Sequence, residues 1–316
     1  MRWSSNCSRS WIVAAEPTDG VRADLFDAAF LGRVEQLALL ARRIASSGQR
    51  AQRRSKQVGS GLEFADHRAY VAGDDPKAID WALYARTERL QLRQFEEEED
   101  LSVWFLVDRS ASMAMAPPGT VHLLDRALQI TAALAYIALG NLDRVAVVPF
   151  GEEVQAPGRT LRGRPQFFRI LRTLSAIRPV GRTALEASVC TFTRHDPRRG
   201  LVVLVSDFYD PAGLGRALTD LAVRGHEPLV LHLCDQSLLD TGAQGDLSLV
   251  DVETGEARDV VMTPALMARY REAFAEFQAS IAHAARQAGA RCLHVDVAQP
   301  FDDVVMRVFR SGGFLR

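Results

Sequence analysis

Residues 101–113 read LSVWFLVDRSASM, and the fold follows from them. Leu101–Val107 is an almost unbroken run of apolar, β-branched and aromatic residues. Such a run predicts a buried strand, because a strand covered on both faces loses its polar alternation. The run stops at Asp108, and hydroxyls follow at alternate positions, Ser110 and Ser112. In an open α/β sheet, ligands bind at the carboxyl ends of the strands. A carboxylate with two hydroxyls at such a tip offers the hard oxygen donors that Mg²⁺ or Mn²⁺ takes. Capping of the following helix would account for the same three residues taken alone.

Two later stretches add to this set. Residues 181–183, GRT, place the Thr183 hydroxyl just ahead of a helical stretch at 185–192. Residues 201–207, LVVLVSD, form a second buried strand that ends in a carboxylate, Asp207. Oxygen donors at three separate strand–helix junctions are hard to explain as caps. Around them strand and helix alternate, with helices over 121–139, 167–177, 214–224, 264–287 and 302–310. Strands are predicted at 144–150, 228–233 and 291–297, with a short edge strand at 153–155. The expected architecture is therefore α/β, a doubly wound, mainly parallel Rossmann-like sheet. A small inserted β-hairpin over 247–262, turning at Thr254-Gly255, interrupts the alternation.

At 316 residues the chain has room for one large domain or two smaller ones. A net charge of −1 gives no argument for attraction to nucleic acid or to a membrane surface. The four cysteines are widely spaced and lack a Cys-x-x-Cys pair, and Cys234 and Cys292 lie in apolar strands. Both are expected to be buried free thiols, as in a reducing compartment. No apolar run approaches the roughly 18 residues a spanning helix needs, so a cytoplasmic protein without a membrane span is expected.

Ahead of the sheet, residues 1–20 are serine-rich without periodicity and predict a disordered leader. Helical spacing runs over 24–47, with Asp24 at its start and Gly48 beyond its end. A basic stretch over 42–56 contains no acid and reads as a solvated connector rather than a phosphate patch. In residues 58–100, Asp75 and Pro76 predict the cap and first position of a helix to about Arg86. Capping also accounts for Asp75 better than a second metal cluster with Asp74 and Asp80 does. Leu90–Phe95 alternates as a half-exposed strand, and five acids follow at 96–100. The expected organisation is a leader over 1–20, an accessory segment over 21–95 packed on the core, the sheet domain over 96–310 and a tail over 311–316.

Asp108, Ser110, Ser112, Thr183 and Asp207 resemble, member by member and in chain order, the metal-ion-dependent adhesion site of von Willebrand factor A (VWA) domains. The resemblance covers roughly residues 100–310. A second resemblance lies upstream. Gly61–Trp81 carries Gly-x-Glu-Phe-x-x-x-Arg-x-Tyr-x-x-Gly-Asp-Asp-Pro-x-x-Ile-Asp-Trp, similar to the signature of the family called domain of unknown function fifty-eight. Together they imply a VWA-like protein that binds Mg²⁺ or Mn²⁺ through those five residues and holds a protein partner on that surface. The second resemblance implies that a MoxR-type AAA+ ATPase is among the partners, alongside a client protein. The protein would then be an adaptor, with an acidic residue of the partner completing the ion's coordination. Some members of that family are membrane-anchored, and the lack of a spanning segment departs from those.

The rival class is a metal-dependent phosphatase or phosphotransferase, which also uses a strand-tip aspartate on a doubly wound sheet. That chemistry needs a second carboxylate two residues on, and Ser110 stands there. The only lysines are Lys56 and Lys77, remote from the predicted tips. Without a proton-transfer partner the expectation is a non-enzyme. There is no phosphate-binding Gly-x-x-x-x-Gly-Lys-Ser/Thr loop and no Cys/His cluster for zinc.

Overall fold

The computed structural model describes residues 2–5, 25–48, 58–59, 63–71, 73–96, 101–115, 121–152, 156–195, 197–209, 213–239, 245–250 and 257–310. Two compact units emerge, one of residues 1–41 and 101–314, the other of 42–100 with 315–316. In chain order the elements begin with β1 (Arg2–Ser5), α1 (Ala28–Gly48), β2 (Val58–Gly59), β3 (Glu63–Ala69), α2 (Trp81–Thr87) and β4 (Gln91–Glu96). There follow β5 (Ser102–Asp108), α3 (Leu123–Gly140), β6 (Arg144–Phe150), β7 (Leu161–Arg162), α4 (Phe167–Ser175), α5 (Leu185–Arg194) and β8 (Gly200–Ser206). The chain closes with α6 (Leu214–Val223), β9 (Glu227–Cys234), β10 (Gly245–Val250), β11 (Ala257–Met262), α7 (Pro264–Gln287), β12 (Arg291–Asp296) and α8 (Phe301–Arg310).

In the larger unit six strands form one sheet in the order β12-β9-β8-β5-β6-β7. All neighbours are parallel except the edge strand β7, which is antiparallel to β6. From β5 the chain moves outward to β6 and β7, then returns to β8 on the other side and continues to β9 and β12. The order therefore reverses between β5 and β8, which is the topological switch point of a doubly wound sheet.

The apolar runs become the central strands for the reason the sequence suggests: every residue of β5 and of β8 is buried. On one face α5, α6 and α7 cover Trp104, Leu106, Val202 and Leu204, using Phe192, Leu218 and Ile281 among others. Trp104 keeps its polar end satisfied by donating Nε1–H to the Arg198 carbonyl at 3.0 Å. On the other face lies α3, most of whose residues are buried. By length and hydropathy α3 could cross a membrane, but 78% of that window is buried inside the fold, as expected of a core helix. β5 and β8 approach closely at their starts. A Cβ at Gly200 would lie 2.0 Å from the Ser102 carbonyl oxygen, so only glycine fits there.

α1 rests on α8 through Phe30 and Phe301, whose ring centroids are 4.9 Å apart, and the Arg33 guanidinium sits 4.6 Å from the Phe301 ring centre. Its start is held by Asp27, which accepts from the Phe30 amide at 2.7 Å. The expected starting residue, Asp24, lies outside the described residues, and Gly48 is the last helical residue rather than the one beyond. The disordered leader needs correction for Arg2–Ser5, which pairs antiparallel with β10 as the third strand beside the β10–β11 hairpin. A hairpin edge offers unpaired backbone groups that any extended segment can satisfy, and composition does not report that. The expected turn at 254–255, the edge strand at 153–155, the acids at 97–100 and the tail at 311–316 lie outside the described residues. So do the basic side chains beyond Arg42 and the remainder of the leader.

Cys190, Cys234 and Cys292 are free thiols. Cys234 is buried as expected, whereas Cys292 is only half-buried; desolvation pushes the two thiols up to about 12 and about 11, so both stay protonated at neutral pH. His232 and His294, on the adjacent strands β9 and β12, face each other with Nδ1 atoms 2.7 Å apart. One ring donates its Nδ1–H and the other accepts, so the accepting ring is neutral. Burial pushes His232 down to about 3.

The smaller unit carries an antiparallel sheet, β2-β4-β3. Asp74, Asp75 and Asp80 are engaged locally. Asp75 accepts from Lys77 N at 2.9 Å, Asp80 accepts from Leu83 N at 2.9 Å, and Asp74 binds Arg68 at 2.9 Å and Val71 N at 2.9 Å. The single helix expected over 76–86 is instead a 3₁₀ turn, Pro76–Ala78, followed by α2. Ile79, extended between them, bridges to Leu92 and is buried. Asp80 then restarts the helix as a second cap and also binds His67 Nε2 at 3.0 Å.

Candidate metal centre

The site lies at the switch point between β5 and β8. β5 ends at Asp108, and the next turn carries Ser110 and Ser112. All three side chains are buried, Asp108 and Ser110 completely. Ser110 N–H donates to Asp108 Oδ1 at 2.8 Å, which bends the chain back over the strand tip. The Ser110 and Ser112 hydroxyls then face each other at 2.9 Å.

Thr183 reaches the same point from the loop between α4 and α5. That loop is zipped to the β5 turn by backbone: Val180 N–H donates to the Arg109 carbonyl at 2.7 Å, and Ala111 N–H to the Gly181 carbonyl at 2.9 Å. Gly181 adopts φ +70°, where a side chain would be strained and its Cβ would sit 3.0 Å from Glu152 Oε2. The result is a Thr183 hydroxyl that donates to Asp108 Oδ2 at 3.3 Å.

The neighbouring strand supplies a residue that the sequence analysis missed. Parallel register pairs Val107 with Val205, which sets Ser206 beside Asp108. Ser206 Oγ–H donates to Asp108 Oδ2 at 2.5 Å, and Ser206 Oγ accepts from Phe208 N–H at 2.9 Å. Asp207, one residue on, is 1% exposed, and its Oδ1 accepts from Tyr209 N–H at 3.2 Å. Between them Phe208 holds φ 50° in the left-handed region with its ring in the core, a conformation that costs about 1–2 kcal/mol for a non-glycine residue. The only signal for Ser206 was a lone hydroxyl as the penultimate residue of an apolar run.

Four of the five expected residues, Asp108, Ser110, Ser112 and Thr183, are thus joined by contacts of 3.3 Å or less. The fifth, Asp207, lies beside them on the adjacent strand tip. Burial holds the Asp108 carboxyl above the usual carboxylate range, opposed by hydrogen bonds from Ser206, Ser110 and Thr183. Among the described residues no group of three or more His, Cys, Asp or Glu gathers as a metal cluster. The donor set here is of another kind: two carboxylates and three hydroxyls, all hard oxygens, which suits a small divalent cation. The next strand tip shows the contrast. Asp235, after β9, is also buried, but its Oδ1 is taken by the Ser237 amide at 2.9 Å and hydroxyl at 2.6 Å of its own turn.

A doubly wound sheet with an antiparallel edge, and a hydroxyl-rich aspartate turn at its switch point, define a VWA-like α/β protein. The chain belongs to the family described as protein of unknown function DUF58, whose pattern matches residues 66–292. Uncharacterized proteins of Mycobacterium bovis and Mycobacterium tuberculosis are each 32% identical over 240 residues, covering 74% of this chain and 74% of theirs. An uncharacterized Mycobacterium avium protein is 30% identical over 160 residues, 50% of this chain and 93% of its own. Among solved structures, a conserved hypothetical protein, BatB, from Bacteroides thetaiotaomicron overlaps 67% of this chain and 98% of its own, at 16% identity and a TM-score of 0.42. The SpRpn10 VWA domain overlaps 66% of this chain and 94% of its own, at 11% identity and a TM-score of 0.37. At such scores the fold assignment rests on this chain's own strand order.

Proposed function

We propose that the protein is a Mg²⁺-dependent protein-binding adaptor, and that the ion is held by Asp108, Ser110, Ser112, Thr183 and Asp207. The observation that carries this reading is the fully buried Asp108 carboxyl, onto which the Ser206 and Thr183 hydroxyls and the Ser110 amide converge from the end of β8, the α4–α5 loop and its own turn. A hydroxyl that donates its proton to a carboxylate keeps its lone pairs for a cation. Asp108 therefore supports the site by orienting hydroxyls as well as by charge. Neutral hydroxyl ligands leave much of a divalent charge uncompensated, which favours a carboxylate arriving from a partner.

Family membership supports a MoxR-type AAA+ ATPase as one partner and a client protein as another, in a cytoplasmic assembly or remodelling step. Mn²⁺ would substitute for Mg²⁺ on the same donors. Phosphoryl chemistry is disfavoured, because Ser110 occupies the position where a general acid would stand and its hydroxyl is engaged with Ser112.

The test is capture of a purified MoxR-type ATPase by the full chain, in Mg²⁺ and in EDTA, with Ser110→Ala and Thr183→Ala alongside. Binding should fall in EDTA and in both variants, and replacing the partner's contacting acid should mimic EDTA without adding to it. Undiminished capture in EDTA would remove the metal from recognition.

A further inference from the structure

A row of polar side chains crosses the sheet at the level of the strand tips. Parallel register pairs Ser206 of β8 with His232 of β9, and His232 with His294 of β12. Residues paired in this way put their side chains on one face of the sheet. Ser206 already belongs to the candidate site through its hydroxyl on Asp108. His232, its neighbour in the row, is 1% exposed. A ring buried so deeply needs a partner for each nitrogen.

Both partners are identifiable. Nδ1 lies 2.7 Å from His294 Nδ1. The ring also bonds the Asp207 backbone in the sense that favours a protonated nitrogen, so it donates to the Asp207 carbonyl. With Nδ1 engaged by His294, that donor is Nε2–H. A neutral imidazole that donates through Nε2 accepts at Nδ1. His294 therefore donates its Nδ1–H, which leaves its own Nε2 as an acceptor. The Cys292 thiol lies 4.0 Å from that nitrogen and stays protonated at neutral pH. The donors all point one way: Cys292 to His294, His294 to His232, and His232 to the Asp207 carbonyl.

The row ends where the backbone is strained. Phe208, directly after Asp207, holds φ 50°. The His232 ring centroid is 6.3 Å from that of Phe208 and 5.6 Å from that of Phe277, and Phe277 stacks on Tyr209 at 6.0 Å. One imidazole thus grips the turn by a hydrogen bond at Asp207, by a ring contact at Phe208 and through Phe277 at Tyr209.

We propose that His232 is a positioning residue for the Asp207 turn: it fixes the Asp207 carbonyl and so the direction of the carboxylate, and His294 sets the tautomer that this requires. The effect on a bound ion rests on the proposed metal site, whereas the hold on the turn does not.

The test uses the full chain. In EDTA at neutral pH, NMR of ¹⁵N-labelled histidines should show His232 as the Nε2–H tautomer and His294 as the Nδ1–H tautomer. His232→Phe keeps the ring contacts and removes both hydrogen bonds. In EDTA it should speed amide exchange at Phe208 and Tyr209 by about tenfold. It should also weaken Mg²⁺ binding by at least about tenfold in titration calorimetry. His232→Gln, whose amide stands near the place of Nε2–H, should recover most of both. His294→Phe should weaken Mg²⁺ binding in the same direction and add nothing to His232→Phe, because it acts through that ring. The opposite tautomers in the wild-type chain would overturn the proposal even if His232→Phe failed to fold. Unchanged amide exchange in folded His232→Phe, or no recovery in His232→Gln, would overturn it as well. A wild-type chain with these tautomers and this exchange pattern that binds no Mg²⁺ would remove the metal site and uphold the hold of His232 on the turn.

Discussion

Replacing Asp108 by asparagine separates the burial of a charge from the binding of an ion. In the metal-free protein the Asp108 carboxyl is completely buried, and burial holds it above the ordinary carboxylate range. Asparagine removes that charge and can keep the contacts. Its Oδ1 accepts from Ser110 N–H as the carboxylate does, and its amide can donate to the Ser206 and Thr183 hydroxyls, which rotate to accept. The net change in EDTA should lie within about 1 kcal/mol. The pH dependence has a definite sign. A carboxyl raised above its unfolded value stabilises the fold fully below the ordinary aspartate range and loses that contribution as pH rises through its folded value. Wild type in EDTA should therefore lose stability relative to Asp108→Asn as pH rises from the ordinary aspartate range through the raised folded value. Mg²⁺ reverses the ranking. At a hundredfold excess over its Kd, an ion bound only to the folded state stabilises by about 2.7 kcal/mol. For a unit of this size that corresponds to a rise in Tm of roughly 5–10 °C. Thermal melts by circular dichroism, with and without Mg²⁺, at two pH values, read all of this. Equal Mg²⁺ shifts in wild type and Asp108→Asn, with the variant folded, would refute the assignment of Asp108. Asp108→Ala is a poorer probe, because it strands three donors at about 1–3 kcal/mol each.

Gly181→Ala should destabilise by about 1 kcal/mol, because φ +70° disfavours a side chain, and should weaken Mg²⁺ binding by displacing Thr183; unchanged affinity in titration calorimetry would detach that loop from the site. Purified protein with Mg²⁺ should not turn over p-nitrophenyl phosphate. A turnover abolished by Asp108→Asn would favour the phosphatase reading. The histidine pair makes the fold acid-sensitive: His232 is pushed down to about 3, so its contribution is complete above the ordinary histidine value of 6.5 and is lost as pH falls toward 3. His232→Asn should flatten the fall in chemical-denaturation midpoint across that window, and an unchanged pH slope would show that the pair does not carry it.

What could be read from the residues was whatever periodicity and burial impose locally. β5 and β8 declared themselves because a strand covered on both faces must be apolar throughout. α7 was bounded by Pro264 at the first helical position, where a missing N–H costs nothing. What depends on register or on distant pairing was not legible. Ser206 looked like an incidental hydroxyl until the parallel register set it against Asp108. Arg2–Ser5 became a strand because a hairpin nearly 250 residues away offered it an edge. The helix expected over 76–86 broke at Ile79 because bridging to Leu92 in an extended conformation outweighed continuing the helix.

A divalent ion held at the switch point between β5 and β8 would be seen by isothermal titration of Mg²⁺ into the chelator-stripped full chain. One ion per chain should bind, with the heat abolished in Asp108→Asn and strongly reduced in Thr183→Ala while both variants keep the wild-type far-ultraviolet spectrum. No saturable binding of Mg²⁺ or of Mn²⁺ by the wild-type chain would mean that Asp108, Ser110, Ser112, Thr183 and Asp207 do not form a metal site.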